Sequence, residues 1–495
     1  MIVLFSNILL EIKNKSMRKI IFLVAVIGLG GCSYFSPSYQ KPNVQIPNKW
    51  SVESSFSQES IESLPYLAWW QKFNDPDLNR YIESGLQYNM KIQVAKANLE
   101  AAQGQLLSAK LSWIPMLNLF GGVINGTSQN SVAPVGNLGT IASSGSFFAI
   151  LPSYTLNVFT SYTLQKQAGY NLEAAQNAEL SVRLAVIGQV VSAYFANLAQ
   201  QQLLAQFTQL DNDLGELVTI ASELDKRGLA NGLSVDELRS KQFLVKSQLS
   251  VVKKNLTVTQ NALRLLINQT PGQVQPSNQF SQINQYQIIP GNLPVSVLAA
   301  RPDILKAEAE LKAANEGISV ASSALLPGVN FNYFYAQGSG SQNLNSSLLN
   351  AGADNTNQQS YYAAYANWTI APSVFGNIDT NSALFKASLA QYKFAVTSAL
   401  HEVDNVLAEY NGLNQKMSND KAAYVNLESS IQVKQAMLKR GLSTYMLVKT
   451  AMLEQDLLAI DLTQTKLQQL IALVNVYQSL GGGYQYNEST VVESK

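Results

Sequence analysis

Charge, cysteine and histidine are scarce in this chain. Only 14% of its 495 residues are charged, against about a quarter in an average soluble domain, and 34 basic side chains nearly cancel 33 acidic ones. No basic stripe marks it as a binder of nucleic acid. One histidine and one cysteine leave little for metal or thiol chemistry. His401 has no cysteine, histidine or carboxylate cluster at ligand spacing nearby, so it reads as a helix-surface or bundle residue. Gly481-Gly482-Gly483 follows a helical pattern and lacks the Lys-Ser/Thr of a phosphate loop, so it reads as a helix stop. Without a nucleophile–base pair the sequence offers no enzyme, and no cofactor or metal is expected. Its polarity comes from Gln, Asn, Ser and Thr, which suits surfaces that line water without a strong field.

Repetition, by contrast, is plentiful. Arg301–Pro327 aligns without a gap on Asn89–Pro115, with identities at Ile92/Ile304, Ala95/Ala307, Ala97/Ala309, Leu99/Leu311, Ala101/Ala313, Ala102/Ala314, Ala109/Ala321 and Pro115/Pro327. Each copy is an Ala-rich helix stopped by a proline and followed by an extended stretch, so the chain reads as a tandem duplication. The extended stretches alternate at period two: Leu117, Leu119, Gly121 and Val123, then Tyr154, Leu156, Val158, Thr160 and Tyr162 in the first half. In the second half Val329, Phe331, Tyr333 and Tyr335 are followed by Tyr362, Ala364, Ala366, Trp368 and Ile370. Each half predicts a β-hairpin with strands of about ten residues, the length of outer-membrane strands. Hairpins of a soluble sandwich carry the same pattern. The loops, about Gly122–Ser146 and Gly338–Gln359, hold Asp354 as their only charge.

Very long helices follow, from about Leu164 to Lys226 and from about Asp379 to Arg440. Phe207, Leu210, Leu214, Leu217, Ala221 and Leu224 keep helical spacing in the first, and Val403, Val406, Tyr410, Leu413 and Met417 in the second. Some sixty residues span about 90 Å, too long for one globule. Both helices end at matching turns, Arg227-Gly228-Leu229 and Arg440-Gly441-Leu442, with glycine where a left-handed cap is expected. Return helices carry Leu238, Val245, Leu249, Val252, Leu256, Leu263 and Leu266, and Leu453, Leu457, Ile460, Leu467, Ile471 and Val474, at heptad positions. These predict antiparallel coiled-coil hairpins. Asp236 and Glu237 near the first turn suit either an acidic ring under rotational symmetry or a helix start favoured by the dipole.

At the N-terminus, Met17-Arg18-Lys19, the apolar run Ile20–Leu29 and Gly30-Gly31-Cys32 form an export signal, and Met17 is the expected start. Leu29-Gly30-Gly31-Cys32 resembles a bacterial lipobox, which makes Cys32 the acylated N-terminus. Ser33 stands where an inner-membrane retention Asp is absent, which favours the outer membrane. No other run reaches transmembrane length, so no spanning helix is expected downstream. The domains expected are a signal at 1–31, a tether at 32–75, a first repeat at 76–272, a linker at 273–300, a second repeat at 301–480 and a polar tail at 481–495. Asp75 is placed to cap a helix from Pro76 to about Ser112. Four strands cannot close a barrel, and an open edge in lipid leaves unpaired backbone groups costing several kcal/mol each. The chain must oligomerise, and two, three or four copies all give strand numbers within the known range.

The lipobox, Trp69-Trp70 with Phe73, Asp75-Pro76-Asp77-Leu78, Arg301-Pro302-Asp303-Ile304 with Ala307-Glu308 and Ala313-Ala314, the two Arg-Gly-Leu tips and Leu480-Gly481-Gly482-Gly483-Tyr484 fall in one order. In that order and over nearly the whole mature length the chain resembles TolC-type outer membrane efflux proteins, specifically their lipoprotein (NodT-like) branch. The resemblance implies a mixed α and β fold: a homotrimer sharing a 12-stranded transmembrane β-barrel, continuous with a long periplasmic α-helical barrel and belted by the tether, linker and tail. It implies a passive exit duct in the outer-membrane lipid. Arg227, Gly228, Leu229, Arg440, Gly441 and Leu442 would contact a periplasmic adaptor, and the energy would come from an inner-membrane transporter, the resistance-nodulation-division type being one option. The family narrows its tunnel just after the second tip, where Tyr445 is followed by an apolar residue and, four positions on, commonly an aspartate. Here Met446 and Thr450 occupy those positions with Lys449 alongside, so these three are the gate candidates and the acidic ring is missing. Met446 suits coiled-coil packing equally well. An outer-membrane-anchored structural or adhesive stalk is the alternative function; it would explain the heptads but not the paired hairpins.

Overall fold

The computed structural model describes residues 38–44, 47, 50, 61–124, 140–141, 145–229, 232–283, 295–326, 328–340, 344–345, 350–351, 357–367 and 371–485. Cys32, the expected signal and residues 33–37, 45–46, 48–49 and 51–60 of the tether lie outside the described residues. The elements run α1 (Pro76–Tyr88), α2 (Met90–Leu111), β1 (Met116–Ile124), β2 (Gly145–Leu156), α3 (Val158–Lys226), α4 (Gly232–Leu266), α5 (Pro302–Ser323), β3 (Gly328–Gly340), β4 (Asn357–Asn367), α6 (Ser373–Lys439) and α7 (Tyr445–Ser479). Apart from two-residue strands at Thr140–Ile141, Leu344–Asn345 and Asn350–Ala351, which pair in a small sheet of their own, the order after α1 of helix, two strands, long helix, return helix occurs twice.

Asp75 caps α1 as its sequence predicts: its Oδ1 accepts from the backbone N–H groups of Asp77 at 3.0 Å and Leu78 at 3.2 Å, and Pro76 fills the first helical position. The single helix expected from Pro76 to Ser112 is broken at Asn89. That residue is extended (φ −63°, ψ 126°); its side chain accepts from Lys91 N at 2.9 Å to start α2 and donates to the Leu266 carbonyl at 2.8 Å. A second boundary also moves. Val158, Thr160 and Tyr162 lie in α3, not in a strand, because Asn157 acts as a cap, its Oδ1 accepting from Thr160 N at 3.1 Å and its carbonyl from Ser161 N at 3.0 Å. Trp368 and Ile370 lie outside the described residues. α6 likewise begins at Ser373, ahead of the expected Asp379. α4 ends at Leu266, and just beyond it left-handed Asn268 (φ 57°) lets Gln269 N donate back to the Arg264 carbonyl at 2.8 Å.

Contacts divide the chain into two units. The first contains residues 101–173 and 309–390 and holds the sheet. Its four strands lie in the order β1-β2-β3-β4, every neighbour antiparallel, with Met116 opposite Ser153, Leu156 opposite Val329 and Gly328 opposite Asn367. Among the described residues β1 and β4 are each paired on one side only, so the sheet is open at both edges. Helix contacts in this unit include polar ones, Thr160 Oγ1 to Ser323 Oγ at 2.7 Å and Lys312 to Glu173 at 3.3 Å, beside the buried Ala309, Leu311 and Ala313.

The second unit contains residues 43–100, 174–308 and 391–495. One helix among those described, α3, has an apolar window long enough to cross a membrane by length and composition, which departs from the expectation of none; 56% of that window is buried within the chain. Val186, Ile187, Val190, Val191, Tyr194, Phe195 and Leu198 account for that apolarity as core. Beside them the separated motifs meet. Trp69 stacks on Tyr477 (centroids 4.7 Å apart, planes 3°) and meets Trp70 edge-on at 5.8 Å. Arg301 donates to the Ser479 carbonyl and pairs with Asp303 at 2.7 Å and Glu402 at 2.8 Å, while Tyr484 Oη donates to the Ala300 carbonyl at 2.8 Å. Gly483, at φ +87°, donates to the Leu64 carbonyl at 3.0 Å; a Cβ there would stand 2.7 Å from the Trp70 ring.

Candidate functional site: the helical tips

The two tips close by the same backbone geometry. At the first, Gly228 (φ +70°) donates to the Asp225 carbonyl at 2.9 Å and Leu229 N to the Leu224 carbonyl at 2.9 Å; at the second, Gly441 (φ +71°) donates to Leu438 at 3.0 Å and Leu442 N to Met437 at 2.9 Å. These are Schellman-type stops, in which the left-handed residue turns the chain so that the last carbonyls are satisfied. Leu229 and Leu442 are left 73% and 67% exposed, and Arg227 and Arg440 are exposed beside them. Each tip thus carries an apolar knob and a cation.

The second tip continues into α7, where Thr444 caps the helix by accepting from Leu447 N at 3.3 Å. Its first turns lean on α3. Lys449 Nζ lies 3.0 Å from Asp213 Oδ1 and 2.7 Å from Glu216 Oε2, and Tyr445 Oη donates to Glu216 Oε1 at 2.6 Å. The hydrogen bonds from Lys449 and Tyr445 hold the Glu216 carboxyl below its usual value, and the same carboxylates hold the Lys449 ammonium above its own. Asp456, further along α7, is pushed up by burial and by the charge of Asp213.

Of the three gate candidates, Met446 is half-buried and packs against the cluster of Leu203, Phe207, Leu210, Leu214, Leu217, Val252, Leu453 and Ile460. Lys449 is tied to α3, and Thr450 is exposed with its hydroxyl on the Met446 carbonyl at 2.8 Å. The sequence reading missed Asp213 and Glu216. Their signal was available: two acids one turn apart, set among Leu210, Leu214 and Leu217 on a charge-poor helix. Asp236, Glu237 and His401 are exposed.

A further feature is laid out on α4. Leu244, Val251, Val258 and Leu265, at strict heptad spacing, are 68%, 41%, 57% and 75% exposed. Leu238, Val245, Leu249, Val252 and Leu263 of the same helix face inward or are buried. One seam is used within the chain and the other is open.

The family model for outer membrane efflux proteins matches residues 81–269 and 293–482, which together make up most of the chain. The chain belongs to the outer membrane efflux protein family. It is 25% identical over 486 residues to the solvent efflux pump outer membrane protein SrpC of Pseudomonas putida, spanning 94% of this chain and 98% of that one. It is 25% identical over 487 residues to the probable outer membrane lipoprotein SilC of Salmonella typhimurium, covering 94% and 99%. Its fold resembles the open-state MtrE outer membrane channel of Neisseria gonorrhoeae with a TM-score of 0.75 at 20% identity, over 91% of this chain and 99% of that one. This outer-membrane efflux protein is therefore a transport component and no enzyme, and channels of its family work with adaptor and inner-membrane pump partners.

Proposed function

We propose that this chain is the exit duct of a tripartite efflux or secretion system, passively carrying small molecules from an inner-membrane pump and periplasmic adaptor to the outside. The observation that carries the reading is the four-stranded antiparallel sheet, open at both edges, in a chain of this family. Unpaired edges in lipid demand closure by further copies, and three copies make a twelve-stranded barrel of the size that leaves a water channel. The open heptad stripe of α4 supplies a lateral surface for the neighbouring copy. The twice-matched family model and the twice-used element order support the tandem duplication and its two repeats at 76–272 and 301–480. Anchoring through acylated Cys32 fits the export signal and the likeness to SilC, itself named a lipoprotein.

Within this reading the exposed Arg227-Gly228-Leu229 and Arg440-Gly441-Leu442 turns are the adaptor contacts, and an inner-membrane transporter, the resistance-nodulation-division type being one option, supplies the energy. Gating centres on Met446, Lys449 and Thr450. Lys449 acts as a latch: it holds the start of α7 against Asp213 and Glu216, so releasing it lets the tip move. The deciding experiment is native mass measurement and single-channel conductance on one sample purified from outer membranes. A trimer with low conductance that rises in Lys449→Gln and Met446→Ala is the expected result; a monomer that never conducts overturns the duct.

A further inference from the structure

A cavity of about 670 Å³ lies within the second unit, walled by α3, α6, α7 and the 3₁₀ turn Phe280–Gln282 with the following Ile283. That volume suits a small molecule of roughly 300–1,000 Å³ pockets. Tyr410, Tyr424 and Met417 give it ring and thioether surface, whereas Lys421 and Lys466 give it charge, and no carboxylate lines it.

The two cations differ from Lys416 and Lys449 on the same helices. Lys416 is held by Asp420 at 2.7 Å and Asp461 at 2.8 Å, and Lys449 by Asp213 and Glu216, so those carboxylates are engaged. Lys466 instead donates to the carbonyls of Phe280 at 2.8 Å and Ser281 at 3.2 Å, 5.1 Å from the Phe280 ring centroid. Burial, and then the charge of Lys421, push the Lys466 ammonium down to about 8, the behaviour of a cation short of counter-charge. Lys421 is exposed at the rim and has no ion pair among the described residues. Deeper in the wall, Gln206 and Gln469 spend their amide N–H groups on the Ala459 carbonyl and on Asn414. Their side-chain carbonyl oxygens are buried with no hydrogen-bond partner, and Gln469 is 7% exposed. Buried acceptors of this kind are ordinarily satisfied.

We propose that this cavity binds a small aromatic organic anion, its carboxylate or phosphate group taken by Lys421 and Lys466, its ring lying against Tyr410 and Tyr424, and a hydroxyl or amide donor reaching Gln206 and Gln469. Such an occupant ties α6 to α7 through the charges of Lys421 and Lys466. The site is in the wall of the helices and is independent of the tip latch, so it stands apart from the duct reading.

Isothermal titration of the intact purified protein with 3-hydroxy-2-naphthoate, which combines ring, hydroxyl and carboxylate, tests it; 2-naphthyl phosphate run alongside tells which head group the lysines prefer. The expected result is one saturable site per chain, weakened about tenfold in Lys421→Gln and in Lys466→Gln. Lys421 is exposed, so its variant keeps the fold, checked by circular dichroism. The absence of saturable binding to natively folded protein, affinity unchanged in Lys421→Gln, or 2-naphthol binding as tightly as the acid would each overturn it.

Discussion

The two return helices have the same length and start from the same Arg-Gly-Leu turn, yet their surroundings differ sharply. α4 buries three of its 35 residues, Val235, Val252 and Leu263, whereas α7 buries fourteen of 35. α7 also carries the ionic latch to α3, while Asp236 and Glu237 at the start of α4 remain exposed. The repeated sequence pattern therefore fixes backbone geometry in both halves, and substitutions away from the shared motifs decide which helix faces the chain's own core. α7 packs into the chain's own core, whereas α4 leaves most of its surface exposed.

The contrast is broken most severely by charging the outward face. Val251→Glu combined with Val258→Glu should convert the oligomer to monomers in native mass spectrometry, whereas Leu447→Glu, at an isolated exposed apolar position of α7, should leave the assembly intact. Dissociation by both would remove the α4 stripe as the special seam. Next in size, Lys449→Gln leaves the Asp213 carboxylate, 16% exposed, without its cation, a cost of about 1–3 kcal/mol. Thermal unfolding should register that loss and conductance should rise several-fold. The matching change at the first tip, Asp236→Asn with Glu237→Gln, should alter neither, since no contact across the helices is lost.

The pH response sharpens the same comparison. Glu216 is depressed below its usual 4.5, so its contribution to the latch is complete above that value and is lost as pH falls through the lower, folded-state value. Lys449 is raised above its usual 10.5, so its contribution persists below that value and is lost only as pH rises through the folded-state value. Conductance traces should thus be flat between about pH 5 and 10 and rise on acidification, and Glu216→Gln should abolish the acid response. The smallest effect is expected at the turns. Gly228→Ala and Gly441→Ala should each cost about 1 kcal/mol, because an added Cβ strains a positive φ but meets no neighbour within 4 Å at either site. Urea midpoints that differ strongly between them would show that the two closures are not equivalent.

Much of this architecture is legible in the sequence because its signals are local. The left-handed turns follow from one glycine each, the long helices from apolar spacing, and the hairpins from alternation and flanking prolines. Boundaries fail where two local signals compete: Val158, Thr160 and Tyr162 continue the strand alternation, and only the capping side chain of Asn157 decides for helix. Asn89 escapes notice because it breaks the helix by reaching the distant Leu266 carbonyl. The acids of the latch stand out on α3, but their pairing with Lys449 was unreadable for the same reason. Asp213 and Lys449 are 236 residues apart, and nothing in either segment says that α3 and α7 lie side by side.

The cluster of Trp69, Trp70, Arg301, Tyr477 and Gly483 bears on the order in which the chain can mature. Its members are drawn from the beginning, the middle and the far end of the described sequence, and Gln485 N reaches back to the Pro65 carbonyl at 2.9 Å. A chain leaving the export machinery N-terminus first exposes both tryptophans long before Tyr477 and the glycines arrive. The indoles stay unstacked, and Arg301 stays short of the Ser479 carbonyl, until that last segment is delivered. A chain that lacks the segment from Tyr477 to Gln485 therefore lacks the stacking partner of Trp69, the acceptor of Arg301 and the donor to Pro65.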